Sequence, residues 1–164
     1  MDILDRLVEH DADATRNLLA QCADLSDEQW HQTFAFGQGS LYHTFDHLVG
    51  SMEHWTGVMS GVEATVRPLE RLRSADAMTQ RFEAISPAFI SVARKIRDEN
   101  RLGDMFVDRF TAEPALRTFG ACIVHVTTHS MHHRAQVLVM FDLLRIAYDP
   151  FAGYAVDEYP LDEE

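Results

Sequence analysis

Seven of the nine histidines in this chain fall in two segments: His43, His47 and His54 in one, and His125, His129, His132 and His133 in the other. A His-xxx-His spacing occurs at His43/His47 and again along His125/His129/His133. On a helix, residues four apart stack one turn above another, about 6 Å between Cβ atoms, so such a pair can set two imidazole nitrogens on one metal ion. Imidazole suits several divalent metals, zinc and nickel among them. The competing reading is a solvated face, because acidic helices commonly expose histidine and the glutamate of an HExxH metalloprotease helix is missing.

Imidazoles far apart in the chain share an ion only if helices aim them at one point, so the elements come next. Leu4, Leu7, Val8, Thr15, Leu18, Leu19 and Cys22 recur at helical spacing and predict a first amphipathic helix over about 2–23. Ser26 followed by Gln29 fits a capping box for a short turn, and "FGQGS" supplies a glycine loop before Ser40 caps a second long helix that runs to about Ser60. Leu41, Phe45, Leu48, Met52, Trp55 and Met59 form its stripe, and "SGVEATVRP" ends it. A third long helix, about 74–100, carries Met78, Phe82, Ile85, Phe89, Val92 and Ile96, with Pro87 expected to kink it. "RLGDMFVDRFTAEPALR" reads as an irregular connection. Phe119, Ile123, Val126, Val137, Phe141 and Leu144 then mark a fourth long helix over about 115–146.

Four long helices with little strand signal predict an all-α fold, an antiparallel four-helix bundle. One domain spans 1–164, with an irregular acidic tail from about residue 147. Turning each helix about 100° per residue shows which imidazoles face such a bundle. On the last helix His133 lies about 40° and His129 about 80° from the centre of the apolar stripe, whereas His125 and His132 lie beyond roughly 120°. On the second helix His47 is nearest, roughly 120° from the centre, with His43 and His54 further out. The inward set is therefore His129 and His133, with His47 the best third ligand.

Lys and Arg number 14 against 26 Asp and Glu, a formal charge of −12. Such a surface repels phosphate backbones and anionic lipid, which argues against nucleic-acid and membrane partners. No segment approaches the ~20 apolar residues of a membrane span, and no basic and apolar leader opens the chain, so a soluble cytoplasmic protein is expected. Cys22 and Cys122 are too few for a disulfide framework and fall on apolar helical faces, as reduced core thiols. Trp30, Trp55 and the methionines read as core or interface.

"SLYHTFDHLVGSMEHW" followed much later by "HVTTHSMHHRAQV" resembles the DinB-like family of metal-binding four-helix bundles. In that family a histidine about eight residues before a tryptophan joins a His-xxx-His pair in a context like NHxxHHRGQ. His47 stands eight before Trp55, and His129 and His133 stand in "THSMHHRAQ". The resemblance thus implies His47, His129 and His133 as the metal ligands, the three the helical wheel favours. Ala135 stands where the family usually has Gly, and Thr128 where Asn is common.

Three imidazoles on Zn²⁺ or Ni²⁺ leave a coordination position open for an exchangeable ligand, either water or a thiol, whose proton the ion's charge helps to remove. The resemblance implies a metal-dependent enzyme of thiol S-transferase type, with a low-molecular-weight thiol such as bacillithiol or mycothiol as co-substrate. The alternatives are a hydrolase on the same site or a non-catalytic, stress-related metal- or ligand-binding protein. It also implies a homodimer acting on a small-molecule substrate. Three further expectations concern the surroundings: a carboxylate such as Glu9 or Asp11 orienting the imidazoles, Arg134 as an exposed surface arginine, and Cys122 too far along its helix, roughly 10 Å, to ligate with His129.

Overall fold

The computed structural model describes residues 2–62, 74–108 and 113–149. Among these the chain is mostly helical. Helix α1 (Ile3–Gln21) begins at a capping box: the Asp2 side chain accepts the Asp5 N–H at 3.0 Å, and the Asp5 carboxylate accepts the Asp2 N–H. The short α2 (Asp27–His31) opens on the predicted Ser26/Gln29 box. Helix α3 (Leu41–Ser60) starts where the Ser40 hydroxyl accepts the His43 N–H, and ends where Gly61 takes the left-handed conformation at φ 69° that costs glycine least. Helix α4 (Ala75–Asp98) runs unbroken through Pro87, with Met78, Phe82, Phe89, Ala93 and Ile96 buried along one face.

The connection after α4, expected to be irregular, instead adds a small hairpin to the mostly helical fold. Strands β1 (Met105–Asp108) and β2 (Ala115–Thr118) pair antiparallel in the register Phe106↔Arg117 and Val107↔Leu116. Each strand is four residues long, too short for an alternating pattern to stand out, and Met105, Val107 and Leu116 point to solvent. Residues 115–118, expected to open the last helix, are therefore strand. Thr118 then caps α5 (Phe119–Leu144) by accepting the Ala121 N–H at 3.2 Å. Of the predicted tail only 147–149 is described, without regular structure, and most of it lies outside the described residues.

Helix α1 packs on α4 and α5, and α3 packs on the same two. Ion pairs fix direction and rotation. Arg94 meets Asp5 and Glu9, Arg97 meets Asp5 at 2.9 Å, and Arg16 meets Glu83 at 2.7 Å, so the start of α1 lies against the end of α4. Between α3 and α4 the buried Arg81 holds both Asp46 and Glu53. Trp30, Phe45, Phe82, Phe89 and Phe141 are the largest fully buried side chains of the core they enclose, which also takes in the thiols of Cys22 and Cys122. Among the described residues no helix is long and apolar enough to cross a membrane.

Candidate metal centre

Helices α3 and α5 run antiparallel, with Thr44 beside Met140 near one end and Trp55 beside His125 near the other. His47 of α3 therefore faces the two inward histidines of α5. Its Nε2 lies 3.0 Å from Nε2 of His129, which lies 3.1 Å from Nε2 of His133. One ligand atom from each of the three falls within 4.8 Å of the others. Nitrogens on a tetrahedral zinc ion, with bonds of 2.0–2.1 Å, stand about 3.3 Å apart, so the two short contacts through His129 already lie within a few tenths of an ångström of that spacing. His47 is exposed, His129 half-buried and His133 buried, so the cluster opens to solvent on the α3 side.

The proton arrangement suits a cation. The Nδ1 of His133 lies 2.8 Å from the amide oxygen of Gln136, a contact that places the imidazole proton on Nδ1 and leaves Nε2 a bare lone pair. A single proton on His129 Nε2 can fully serve only one of its two short contacts, whereas a divalent cation among the rings would serve three lone pairs together. Burial lowers the pKa of all three: of His129 to about 4, helped by the neighbouring imidazoles, and of His133 and His47 in the same direction, Asp46 partly opposing it at His47. All three are neutral at physiological pH, the state a ligand needs.

The other histidines stand apart from this point. His43 contacts its own helix cap, Ser40 Oγ, at 2.8 Å, and His31 packs on Tyr42. His54 packs on Trp55, and exposed His132 contacts the Gln136 amide nitrogen at 3.0 Å. His125 lies one turn from His129, ring centroids 5.3 Å apart, with its own ring against Trp55.

Two expectations about the surroundings fail. The first concerns the group that orients a ligand: it is the amide of Gln136, while Asp11 and Glu9 pair with arginines elsewhere. The signal was in the sequence, because Gln136 is three residues after His133 and so shares its helix face. Gly37 completes this arrangement, its φ of 58° and missing side chain letting the loop close on Gln136, where a Cβ would come within 2.8 Å of Oε1. The second concerns Arg134, which is 2 % exposed and donates to Asp11 Oδ1 at 2.5 Å and Thr15 Oγ1 at 3.1 Å. It ties α5 to α1 across the core from the imidazoles.

Residues 1–149 match the DinB family. The chain belongs to the DinB family. Its structure is similar to the crystal structure of a DinB-like protein from Bacillus cereus ATCC 10987, with a TM-score of 0.60 and 18% identity over 86% of this chain and 90% of that one. At that identity the likeness is one of fold. No curated protein matches the chain. The two positions where this DinB-family chain departs from the motif leave the imidazoles alone: Ala135 is exposed, and the Thr128 hydroxyl donates to Val124 O at 2.8 Å on its own helix.

Proposed function

We propose that His47, His129 and His133 hold one divalent metal ion, Zn²⁺ or Ni²⁺, and that the chain is a metal-dependent enzyme of thiol S-transferase type. The observation that carries this is the convergence of three Nε2 atoms from two antiparallel helices, each imidazole held neutral and one fixed by Gln136. When bound, the ion would supply Lewis-acid chemistry and lower the pKa of a thiol or water in its open position. The residues do the rest. His129 and His133 form the rigid floor, exposed His47 leaves the side from which a small molecule enters, and Gln136 keeps the His133 lone pair turned inward.

We read the scaffold as a single DinB-like domain, an antiparallel four-helix bundle, supported by the end-to-end pairing of α1 with α4 and of α3 with α5. A cytoplasmic homodimer is the proposed working state. Supporting the dimer, Val124, Met131, Val139 and Leu143 line one outward face of α5 and are each about half exposed, and from Gly120 to Val139 that face carries no charge in a chain of −12.

The test is metal content by mass spectrometry on tag-free protein after mild dialysis, beside His47→Ala and His129→Ala. One ion per chain, lost in both variants, supports the centre; no ion in any of them sinks it. Conjugation of a low-molecular-weight thiol to an electrophile, abolished in His133→Ala, would establish the transferase. Turnover of esters or amides without added thiol would make it a hydrolase, and metal binding without turnover in either assay a binding protein.

A further inference from the structure

The hairpin of β1 and β2 brings a second chemical group to the seam that holds the histidines. From His129 the path runs to exposed His125, then to Trp55 of α3 at 5.6 Å between ring centroids, then to the guanidinium carbon of Arg117, 6.0 Å from the Trp55 ring. Trp55 is 9 % exposed, so a small part of its apolar ring stays open between two exposed polar side chains. No spacing in the sequence marks this path, because a four-residue strand places Arg117 on it.

Arg117 also differs in its pairing from five other arginines of the surface and helix seams. Arg16, Arg81, Arg94, Arg97 and Arg101 each face at least two carboxylates. Arg117 meets one, Asp108, through Nε alone at 2.6 Å, and Asp108 is itself buried. Among the described residues its Nη groups make no hydrogen bond. A guanidinium held at Nε by a buried carboxylate is fixed in orientation and keeps its Nη edge for a second planar, two-oxygen partner.

We propose that Arg117 anchors a carboxylate of the small molecule that reaches the three-histidine centre, an inference that rests on that centre being the reactive one. A carboxylate presents the two coplanar oxygens that the Nη edge of a guanidinium takes in a bidentate pair. The substrate class that follows is an elongated acid: reactive sulfur at the histidines, an apolar segment along Trp55, and a carboxylate on Arg117.

Two measurements on the full-length chain test this separately from the centre itself. In ¹⁵N-labelled metal-free protein, titration with hexanoate should shift the Arg117 Nε–H and Trp55 indole signals saturably, hexanol should not, and Arg117→Met should abolish the Trp55 response. In cobalt-loaded protein, ω-mercaptoalkanoates of increasing length, read by the thiolate-to-cobalt absorption, should bind about fivefold more tightly than the matching mercaptoalcohols once long enough. Arg117→Met should remove that preference and leave the alcohols unchanged. No hexanoate response, or the same preference in wild type and Arg117→Met, overturns the proposal. Absence of any thiolate absorption beside an intact hexanoate response sinks the thiol reading of the centre and supports the anion anchor.

Discussion

The Nδ1 of His133 and the Oε1 of Gln136 stand 2.8 Å apart, and that one contact decides which nitrogen of the buried imidazole carries the proton. Gln136→Met removes the acceptor and should weaken metal binding by about 10- to 100-fold. Gln136→Glu keeps an acceptor at the same place and should retain wild-type affinity or better. Competition against a chromophoric chelator measures both, and equal affinity in Gln136→Met would show that the amide does not set the proton.

The lowered histidine pKa values predict how acid acts on the metal-free chain. An imidazole that titrates at about 4 when folded and near 6.5 when unfolded binds fewer protons in the native state. Native stability is then unpenalised above about pH 6.5 and falls steadily as pH drops toward 4. Melting temperature against pH should show this decline in metal-free wild type and a shallower one in His129→Gln. Curves that superimpose would mean that His129 is not held neutral by the fold.

Breaking the buried Arg134–Asp11 pair should cost far more than removing it. Arg134→Met leaves Asp11, whose pKa burial raises in spite of the guanidinium, without its counter-charge, and should lose roughly 3–5 kcal/mol in urea unfolding. Arg134→Met with Asp11→Leu should recover most of that loss. If the double variant is as unstable as the single one, the pair supplies packing that apolar groups do not replace.

A dimer on the outward face of α5 should be sensitive to one charge at its middle. Met131→Asp is expected to give a monomer by light scattering, with the helical circular dichroism unchanged, because this side chain makes no part of the core. A dimer that survives the substitution places the contact on another face.

Much of this molecule can be read from the spacing of its side chains. The caps at Ser26 and Ser40 and the stripe from Leu41 to Met59 lie where the pattern puts them, because a long amphipathic helix repeats its signal over many turns. The inward pair His129 and His133 follows from the same periodicity, whereas His47 lies roughly 120° off its own stripe and stays exposed. Arg134 misled for a physical reason. A charged side chain on an apolar helix reads as solvent-facing unless its counter-charge is known, and Asp11 lies 123 residues away in the chain. The β1–β2 hairpin was invisible because two strands of four residues carry too few alternations to distinguish from a loop.

The three imidazoles also join distant parts of the chain, His47 and His129 being 82 residues apart. An ion shared between them would be a removable cross-link, present in the folded chain and lost on unfolding. The metal would then be a folding ligand as well as a reagent: at a free concentration one hundred times its dissociation constant it adds about 2.7 kcal/mol to native stability. Heat resistance of this protein would thereby track the supply of metal around it, and a chelator would soften the α3–α5 seam before it reached any substrate.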